Sequence, residues 1–166
     1  MKQKSDLKNS KTLLLLFISI VLCQLAGLIG AIFTFSAIPT WYSTLAKPSF
    51  SPPNFIFGPV WTILYTLMGI SLFLIWRKGL RKTKVRKAVK IFMIHLFFNA
   101  IWSIIFFGFR NPGVAFVEIV MLWFLIVLTI KRFWKIDKLA AYLLLPYLLW
   151  VSFASFLNFT VWKLNT

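Results

Sequence analysis

Acidic side chains are the scarcest charged groups in this chain of 166 residues, which has three Asp and Glu residues against 19 Lys and Arg residues. It also has one cysteine and one histidine. A single cysteine cannot form an internal disulfide, and one cysteine with one histidine is too few for a zinc, haem or iron–sulfur ligand set. The sequence therefore predicts no metal centre, no disulfide and no resident cofactor.

Apolar side chains make up most of the sequence, at 60% of the residues and a mean hydropathy of +0.86. A soluble domain of this length could not bury so much apolar surface, so lipid must be its main partner. The net charge of +16 could also attract nucleic acid. The cations lie between the long apolar runs, however, where they would face anionic lipid headgroups, and we expect no nucleic-acid partner.

Five apolar stretches have the length of about 20 residues that is needed to cross a bilayer. Backbone polar groups must pair within the segment in hydrocarbon, and no alternating barrel pattern is present, so these stretches should be helices. We predict an all-α polytopic membrane protein, a five-helix bundle that forms one domain over residues 1–166. The predicted spans are 12–35, 55–76, 88–107, 112–130 and 138–162.

The loop charges predict an orientation. The N-terminal segment, the second loop and the fourth loop with their flanks carry 16 cations, whereas the other side carries Lys47, Arg110 and Lys163. Because cationic loops stay in the cytoplasm, we expect a cytoplasmic N-terminus, with the C-terminus and the long first loop outside, in the cell membrane. The N-terminal cations in this count are Lys2, Lys4, Lys8 and Lys11.

Three polar side chains inside the predicted spans are costly enough to require an explanation, namely His95, Asn99 and Glu118. His95 and Asn99 are four residues apart on one face of the third helix, and Trp102 continues that face. Glu118 either pairs with Arg110 or donates as a neutral acid that joins helices. Asn99 is either a pocket anchor or a structural amide, and His95 is a structural or pocket-lining group.

Aromatic residues and prolines in the first loop and the second helix suggest a pocket with a lid. Prolines stiffen the loop, and aromatic residues recur at helical spacing beyond it. In the fifth span Pro146 should kink the helix about one turn before Trp150. An apolar cavity with a few polar anchors would suit a flat apolar ligand, although ordinary core packing is the alternative. The predicted lid residues are Trp41, Lys47, Pro48, Pro52 and Pro53. The predicted ligand-binding residues are Trp61, Tyr65, His95, Asn99, Trp102, Tyr147, Trp150 and Ala154.

Several long motifs resemble the TspO/MBR family, also called the translocator protein, tryptophan-rich sensory or peripheral benzodiazepine receptor family. The first is W-Y-x-x-L-x-K-P-x-x-x-P-P followed by G-P-V-W-x-x-L-Y-x-x-M-G. The others are F-N-A-I-W-S-I-I-F-F-G-F-R-N in the third span and L-L-L-P-Y-L-L-W-V-S-F-A-S-F-L-N-F-T-V-W in the fifth. They occur in the family's order and cover nearly the whole chain after residue 20.

The resemblance implies a five-helix bundle, commonly a homodimer, that binds porphyrins, sterols and isoquinoline-type drugs. It implies pocket roles for Trp61, Asn99 and Trp150, and a lid role for Pro52 and Pro53. Family members are described as tetrapyrrole or sterol carriers, as stress sensors, or as proteins that degrade protoporphyrin with light and oxygen. For the last activity Trp61 and Trp150 are the candidate catalytic residues.

Two departures from the family pattern bear on the expected ligand. His95 stands where relatives often have Gln. Phe159 stands where the sterol motif requires a Tyr ahead of Lys163, and we therefore do not predict sterol transport.

The interpretation that we favour is a membrane receptor or sensor that binds porphyrins inside the bundle. An enzyme is the first rival, but the sequence shows no catalytic dyad, activated nucleophile or metal site, so its chemistry would come from the photoexcited ligand. A transporter is the second rival, and the sequence shows no inverted repeat that would support it.

Overall fold

The computed structural model describes the backbone of residues 2–166 and the side chains from Ser10 onward. The cations Lys2, Lys4 and Lys8 of the orientation argument therefore lie outside the residues whose side chains are described. Residues 2–166 are helical with short connections and contain no strand. The helices are α1 Lys2–Ala37, α2 Asn54–Trp76, α3 Thr83–Ser103, α4 Pro112–Trp134, α5 Lys138–Tyr142 and α6 Leu145–Leu164. Single π-helical turns extend α1 over Ile38–Tyr42 and α3 over Ile104–Gly108.

The predicted all-α membrane bundle is confirmed. In the described part of the chain five helical segments are long and apolar enough to cross a bilayer. They are Ser10–Tyr42, Asn54–Trp76, Thr83–Gly108, Pro112–Trp134 and Lys138–Leu164. Each contains the whole of the span predicted from the sequence. The first is longer mainly because the π-helical turn continues it, the third because α3 begins at Thr83, and the fourth because α4 continues to Trp134.

The start of the first loop differs from the prediction. Trp41 was expected in the loop, but it lies in the π-helical turn that extends α1. Pro39 lies inside this continuous helical segment, and the chain stays helical past it although proline has no N–H to donate and normally disrupts a helix interior. The irregular part of the loop is limited to residues 45–53.

The helix boundaries inside the second half of the chain agree with their sequence signals. Asn111 caps α4, because its Oδ1 accepts a hydrogen bond from the Val114 N–H at 3.0 Å. Asp137 caps α5 through the Ala140 N–H at 3.2 Å. Pro146 was predicted to kink the fifth span; the structure interrupts the span between α5 and α6, with Pro146 in the first turn of α6.

Glycines allow α1 to pack closely on its neighbours. A Cβ added at Gly27 would lie 2.3 Å from the Tyr65 ring, and one at Gly30 would lie 2.9 Å from the Ser103 hydroxyl. At the crossing of α1 and α2, a Cβ on Gly69 would lie 2.5 Å from the Cα of Ile20. The small residues of α1 therefore serve contacts within the bundle.

Apolar side chains also cover the outside of the bundle. On α1, for example, Leu28, Ile32 and Phe35 are each at least 60% exposed. Such a continuous apolar surface would be unfavourable in water and matches a lipid environment.

An aromatic cavity between α1, α2, α3 and α6

A cavity of about 290 Å³ lies inside the bundle, next to the end that carries the first loop. Its wall is built by α1, α2, α3 with its π-helical turn, and α6, and by Ile38 and Tyr42 at the end of the first span. The volume stands at the lower end of the range of about 300–1,000 Å³ that is usual for small-molecule sites. The wall is mainly aromatic and aliphatic, with a few amide and hydroxyl groups.

Aromatic rings in contact with one another form much of the wall. Trp61 stacks on Tyr65 with 5.4 Å between the ring centroids, and it meets Tyr147 edge-on at 6.2 Å. Trp150 meets Phe57 edge-on at 5.9 Å. The indole N–H of Trp150 is buried and has no hydrogen-bond partner among the described residues. Since buried indole N–H groups normally find an acceptor, this one is a candidate donor to a ligand.

Two asparagines supply the fixed polar groups of the wall. Asn99 is held between two tyrosines: its Oδ1 accepts from the Tyr65 hydroxyl at 2.6 Å, and its Nδ2 donates to the Tyr147 hydroxyl at 3.0 Å. Asn158 accepts from the indole N–H of Trp102 at 3.0 Å and donates to the carbonyl of Pro112 at 2.8 Å. These bonds fix the orientation of both amides before any ligand arrives.

The structure brings most of the sequence-predicted site residues together. Six of the eight predicted ligand-binding residues lie on the wall, namely Trp61, Tyr65, Asn99, Trp102, Trp150 and Ala154. His95 and Tyr147 lie behind the wall and are fully buried. Tyr147 reaches the cavity indirectly through its hydrogen bond with Asn99. His95 lies against the ring of Tyr147 and the hydroxyl of Thr129.

The predicted lid residues lie beside the cavity and not on it. The described wall does not include Trp41, Lys47, Pro48, Pro52 or Pro53. Lys47 folds back on its own loop, where its ammonium donates to the carbonyls of Tyr42 and Leu45 at 2.8 and 2.9 Å. The loop approaches the cavity through the residues that flank it, which are Tyr42, Asn54 and Phe57.

The contribution of α1 was missed in the sequence. Gln24, Gly27 and Ala31 all lie on the wall. Gln24 donates to the Thr62 carbonyl and to the Thr66 hydroxyl, both at 3.0 Å, and so joins α1 to α2. The available signal was one amide inside an apolar run, followed by small residues three and seven positions later on the same helical face.

The proposed pairing of Glu118 with Arg110 is wrong. Both carboxyl oxygens of Glu118 are buried without a hydrogen-bond partner among the described residues, and Arg110 is exposed. Because α4 begins at Pro112 and runs inward, Arg110 remains at the surface, while Glu118 lies almost two turns deeper. The second alternative, that Glu118 donates to a neighbouring helix, also has no acceptor in the described structure.

The ion pair that the described residues do contain lies outside the spans. Lys78 and Asp137 are 2.9 Å apart, between the end of α2 and the start of α5. The hydrogen bond from Lys78 lowers the pKa of the Asp137 carboxyl, and the backbone N–H groups at the start of α5 lower it further. Among all residues that the structure describes, no group of three His, Cys, Asp or Glu side chains is close enough to hold a metal ion.

Comparison with known proteins places the whole bundle in one family. The sequence model of the TspO/MBR family matches residues 19–163. The chain belongs to the TspO/MBR family. All cavity-lining residues of this TspO/MBR protein lie between Gln24 and Val161, inside the matched region.

Individual relatives match this TspO/MBR protein over most of their length. It is 46% identical to the tryptophan-rich protein TspO of Chlorobaculum tepidum, an alignment that covers 94% of this chain and 99% of the relative. It is 35% identical to the human translocator protein, with 86% and 85% covered. The tryptophan-rich sensory protein of Cereibacter sphaeroides is 31% identical, with 75% and 77% covered. The resemblance drawn from the motifs is thus confirmed.

Proposed function

We propose that this membrane protein is a receptor or sensor that binds porphyrins and similar flat apolar ligands in the cavity between α1, α2, α3 and α6. The observation that carries the proposal is the wall itself, which combines the indoles of Trp61, Trp102 and Trp150 with the fixed amide of Asn99. A flat macrocycle gains about 25 cal/mol for each Å² of apolar surface that it buries. Stacking on aromatic rings adds to this gain, and the amide sets the orientation.

Protoporphyrin binding in detergent, in the dark, tests the proposal. We expect saturable quenching of tryptophan fluorescence with one ligand per protomer. Ala154→Leu places three extra carbons on the wall and should weaken binding by about tenfold or more, since overpacking costs about 1–3 kcal/mol. The matched control is Trp134→Phe, because Trp134 is at the far end of α4 and 43% exposed. Absence of saturable binding, or wild-type affinity in Ala154→Leu, would contradict the proposal.

A light- and oxygen-dependent degradation of the bound porphyrin is the second candidate function. It is favoured by the contact of Trp61 with Tyr65 and Tyr147, because three oxidisable rings then lie in series beside the cavity. In this scheme the excited porphyrin and molecular oxygen are the reactants, and the indoles donate electrons or trap radicals.

Illumination in air distinguishes the two functions. A receptor should leave the porphyrin absorption at the level of the free-porphyrin control. A degrading enzyme should bleach it, and Trp61→Phe and Trp150→Phe should abolish the bleaching while keeping most of the dark affinity. Equal bleaching by wild type and both variants would exclude the indole-assisted reaction.

We also propose that the protein lies in the cell membrane as a homodimer with its N-terminus in the cytoplasm, and that isoquinoline-type drugs compete with porphyrin. The ratio of 16 cations to three across the predicted loops supports the orientation. A C-terminal alkaline phosphatase fusion should be active and a C-terminal green fluorescent protein fusion dark. Light scattering of the purified protein tests the dimer, and displacement of bound porphyrin tests the drugs.

A further inference from the structure

His95 is a buried polar side chain that lies directly behind the cavity, beside Tyr147. It precedes Asn99 by one helical turn and is fully buried. Its ring meets Phe92 edge-on at 4.6 Å and lies 5.8 Å from the Tyr147 ring, measured between centroids. Its Nδ1 is 3.3 Å from the hydroxyl oxygen of Thr129. The described residues place no carboxylate in hydrogen-bond contact with it, so the ring is neutral.

The hydroxyl of Thr129 favours one tautomer of His95. Its oxygen is 2.8 Å from the carbonyl of Leu125 and 3.3 Å from Nδ1 of His95, so the shorter contact is assigned the one hydroxyl hydrogen. With that assignment the Thr129 oxygen accepts from His95, which places a hydrogen on Nδ1. A neutral imidazole has one N–H, so Nε2 is left as a bare acceptor. This Nε2 is buried and has no partner among the described residues.

Among the described residues, Tyr147 has a hydroxyl hydrogen that lacks an acceptor, whereas Nε2 of His95 is an acceptor that lacks a donor. The oxygen of Tyr147 accepts from Asn99, while its own hydroxyl hydrogen finds no acceptor in the described part of the chain. A buried donor and a buried acceptor that both stay unpaired are costly, and one buried water can join such a pair. We propose that Tyr147 donates to Nε2 of His95 through one buried water, and that His95 is thereby a positioning residue of the cavity.

The direction of this hydrogen-bond chain decides what the cavity offers to a ligand. Because the Tyr147 hydrogen is turned toward His95, Asn99 donates to Tyr147 and turns its Oδ1 toward Tyr65. The Tyr65 hydroxyl then donates its one hydrogen to Oδ1 of Asn99, at 2.6 Å. On the cavity wall Tyr65 is left as an acceptor only. In the reversed chain Tyr65 would keep its hydrogen for the ligand.

His95 therefore makes this part of the wall select flat ligands with an N–H or O–H group near Tyr65. The inference rests on the proposed use of this cavity as a ligand site, and it adds the hydrogen-bonding class of the ligand. A site built to pair with a donor rejects an isosteric ligand that lacks it, because a buried polar group is then left unpaired.

The tautomer can be measured directly, because the chain has one histidine. In protein labelled with ¹⁵N-histidine we expect one neutral ring with a hydrogen on Nδ1 and a bare, hydrogen-bonded Nε2. Tyr147→Phe should shift the Nε2 resonance and leave Nδ1 protonated, whereas the control Tyr142→Phe, at a residue that is 52% exposed, should change neither. A hydrogen on Nε2 in wild type, or an Nε2 resonance unmoved by Tyr147→Phe, would overturn the proposal. The wild-type result requires no variant to fold.

Ligand selectivity is tested with carbazole and dibenzofuran, which share a flat shape but offer an N–H donor and an oxygen acceptor respectively. Wild type should prefer carbazole by about tenfold, and Tyr65→Phe should remove the preference. His95→Leu should reduce it to less than about threefold, while His95→Gln, whose amide oxygen can still accept, should keep most of it.

The outcomes separate this inference from the porphyrin proposal. Equal affinity of wild type for the two probes, binding of neither, or an unchanged preference in His95→Leu would overturn the inference, even where protoporphyrin binds. A His95-dependent preference for carbazole without protoporphyrin binding would support the inference and contradict the porphyrin proposal.

Discussion

The side-chain amide of Asn165 pairs with both backbone polar groups of Ala46. Its Oδ1 accepts from the Ala46 N–H at 3.0 Å, and its Nδ2 donates to the Ala46 carbonyl at 2.9 Å. Asn165 follows the end of α6, and Ala46 lies in the first loop. The pair therefore attaches the loop beside the cavity to the last helix, through exposed bonds that do not belong to the core.

Loss of this attachment should change ligand kinetics more than stability. In Asn165→Ala we expect protoporphyrin to associate and dissociate several-fold faster, since the loop would open more often. The free energy of unfolding should fall by less than about 1.5 kcal/mol, because the bonds are exposed. Stopped-flow fluorescence measures the rates. Thr166→Ala is the control, as Thr166 is exposed and bonds only within its own turn. Wild-type rates in Asn165→Ala would show that the attachment does not control access.

The contact between Gly27 and Tyr65 should tolerate no side chain. Gly27→Ala would place a Cβ 2.3 Å from a ring that is held by Asn99 and stacked on Trp61, so the ring cannot easily move. We expect a loss of about 1–3 kcal/mol in stability. Gly58→Ala is the stability control, because a Cβ there meets nothing within 4 Å outside its two chain neighbours. Its stability should change by less than about 1 kcal/mol, since the helix propensity of alanine is opposed by Pro59, which disfavours helix in the residue before it. Equal melting temperatures for the two variants would contradict the packing argument.

The ion pair between Lys78 and Asp137 should make stability depend on pH in the acid range. The pKa of Asp137 is lowered in the folded protein, so its contribution is present above the unfolded value of about 3.9 and is lost as pH falls through the lower folded value. Asp137→Asn keeps the helix cap but loses the charge, and should cost less than about 1 kcal/mol at pH 7 for this partly exposed pair. The difference from wild type should shrink as pH falls below about 3.9 and disappear once pH is below the folded pKa of Asp137. A difference that stays constant through this acid range would contradict this assignment.

Glu118 and Arg110 should behave as independent residues. Since no cation or donor in the described structure holds the Glu118 carboxyl, Glu118→Gln should change the free energy of unfolding by less than about 1 kcal/mol. Arg110 has a φ of 53°, in the left-handed region, so Arg110→Gly should stabilise by about 1 kcal/mol instead of breaking an ion pair. A double-mutant cycle with Arg110→Gly and Glu118→Gln should give no coupling. Coupling above about 0.5 kcal/mol would indicate that the two residues interact.

Particular residues show how far sequence reasoning could reach. The membrane spans and the disturbance of the fifth span at Pro146 depend on neighbours within one or two turns, and the structure agrees with both predictions. The caps at Asn111 and Asp137 are equally local. The predicted pairing of Glu118 with Arg110 was wrong, because the depth of each residue depends on where α4 begins relative to the surface, and the sequence does not give that depth. The place of Trp41 was missed because a π-helical turn carries the helix past Pro39, which a proline signal does not reveal.

Some features of the cavity could likewise be predicted from the sequence, and others could not. Aromatic residues on shared faces of the second and fifth spans predicted an aromatic wall, and the structure brings Trp61 and Trp150 to one cavity. The contribution of α1 depended on a helix crossing, where Gly27 and Gly69 let two backbones approach. The direction of the hydrogen bonds from His95 to Tyr65 could not be read from the sequence, because these bonds join side chains on three helices. It also depends on the hydroxyl of Thr129 on α4, which lies 34 residues beyond His95 in the sequence.

By itself the sequence determined that this protein spans a membrane five times as helices, because hydrocarbon demands long apolar runs with internally paired backbones. It also determined the family, through motifs that extend along the chain. Only the tertiary structure decided which buried polar groups meet, since such contacts depend on helix crossings and depths that no local pattern encodes. Two examples are the amide of Asn99 between Tyr65 and Tyr147, and the carboxyl of Glu118, which has no partner among the described residues.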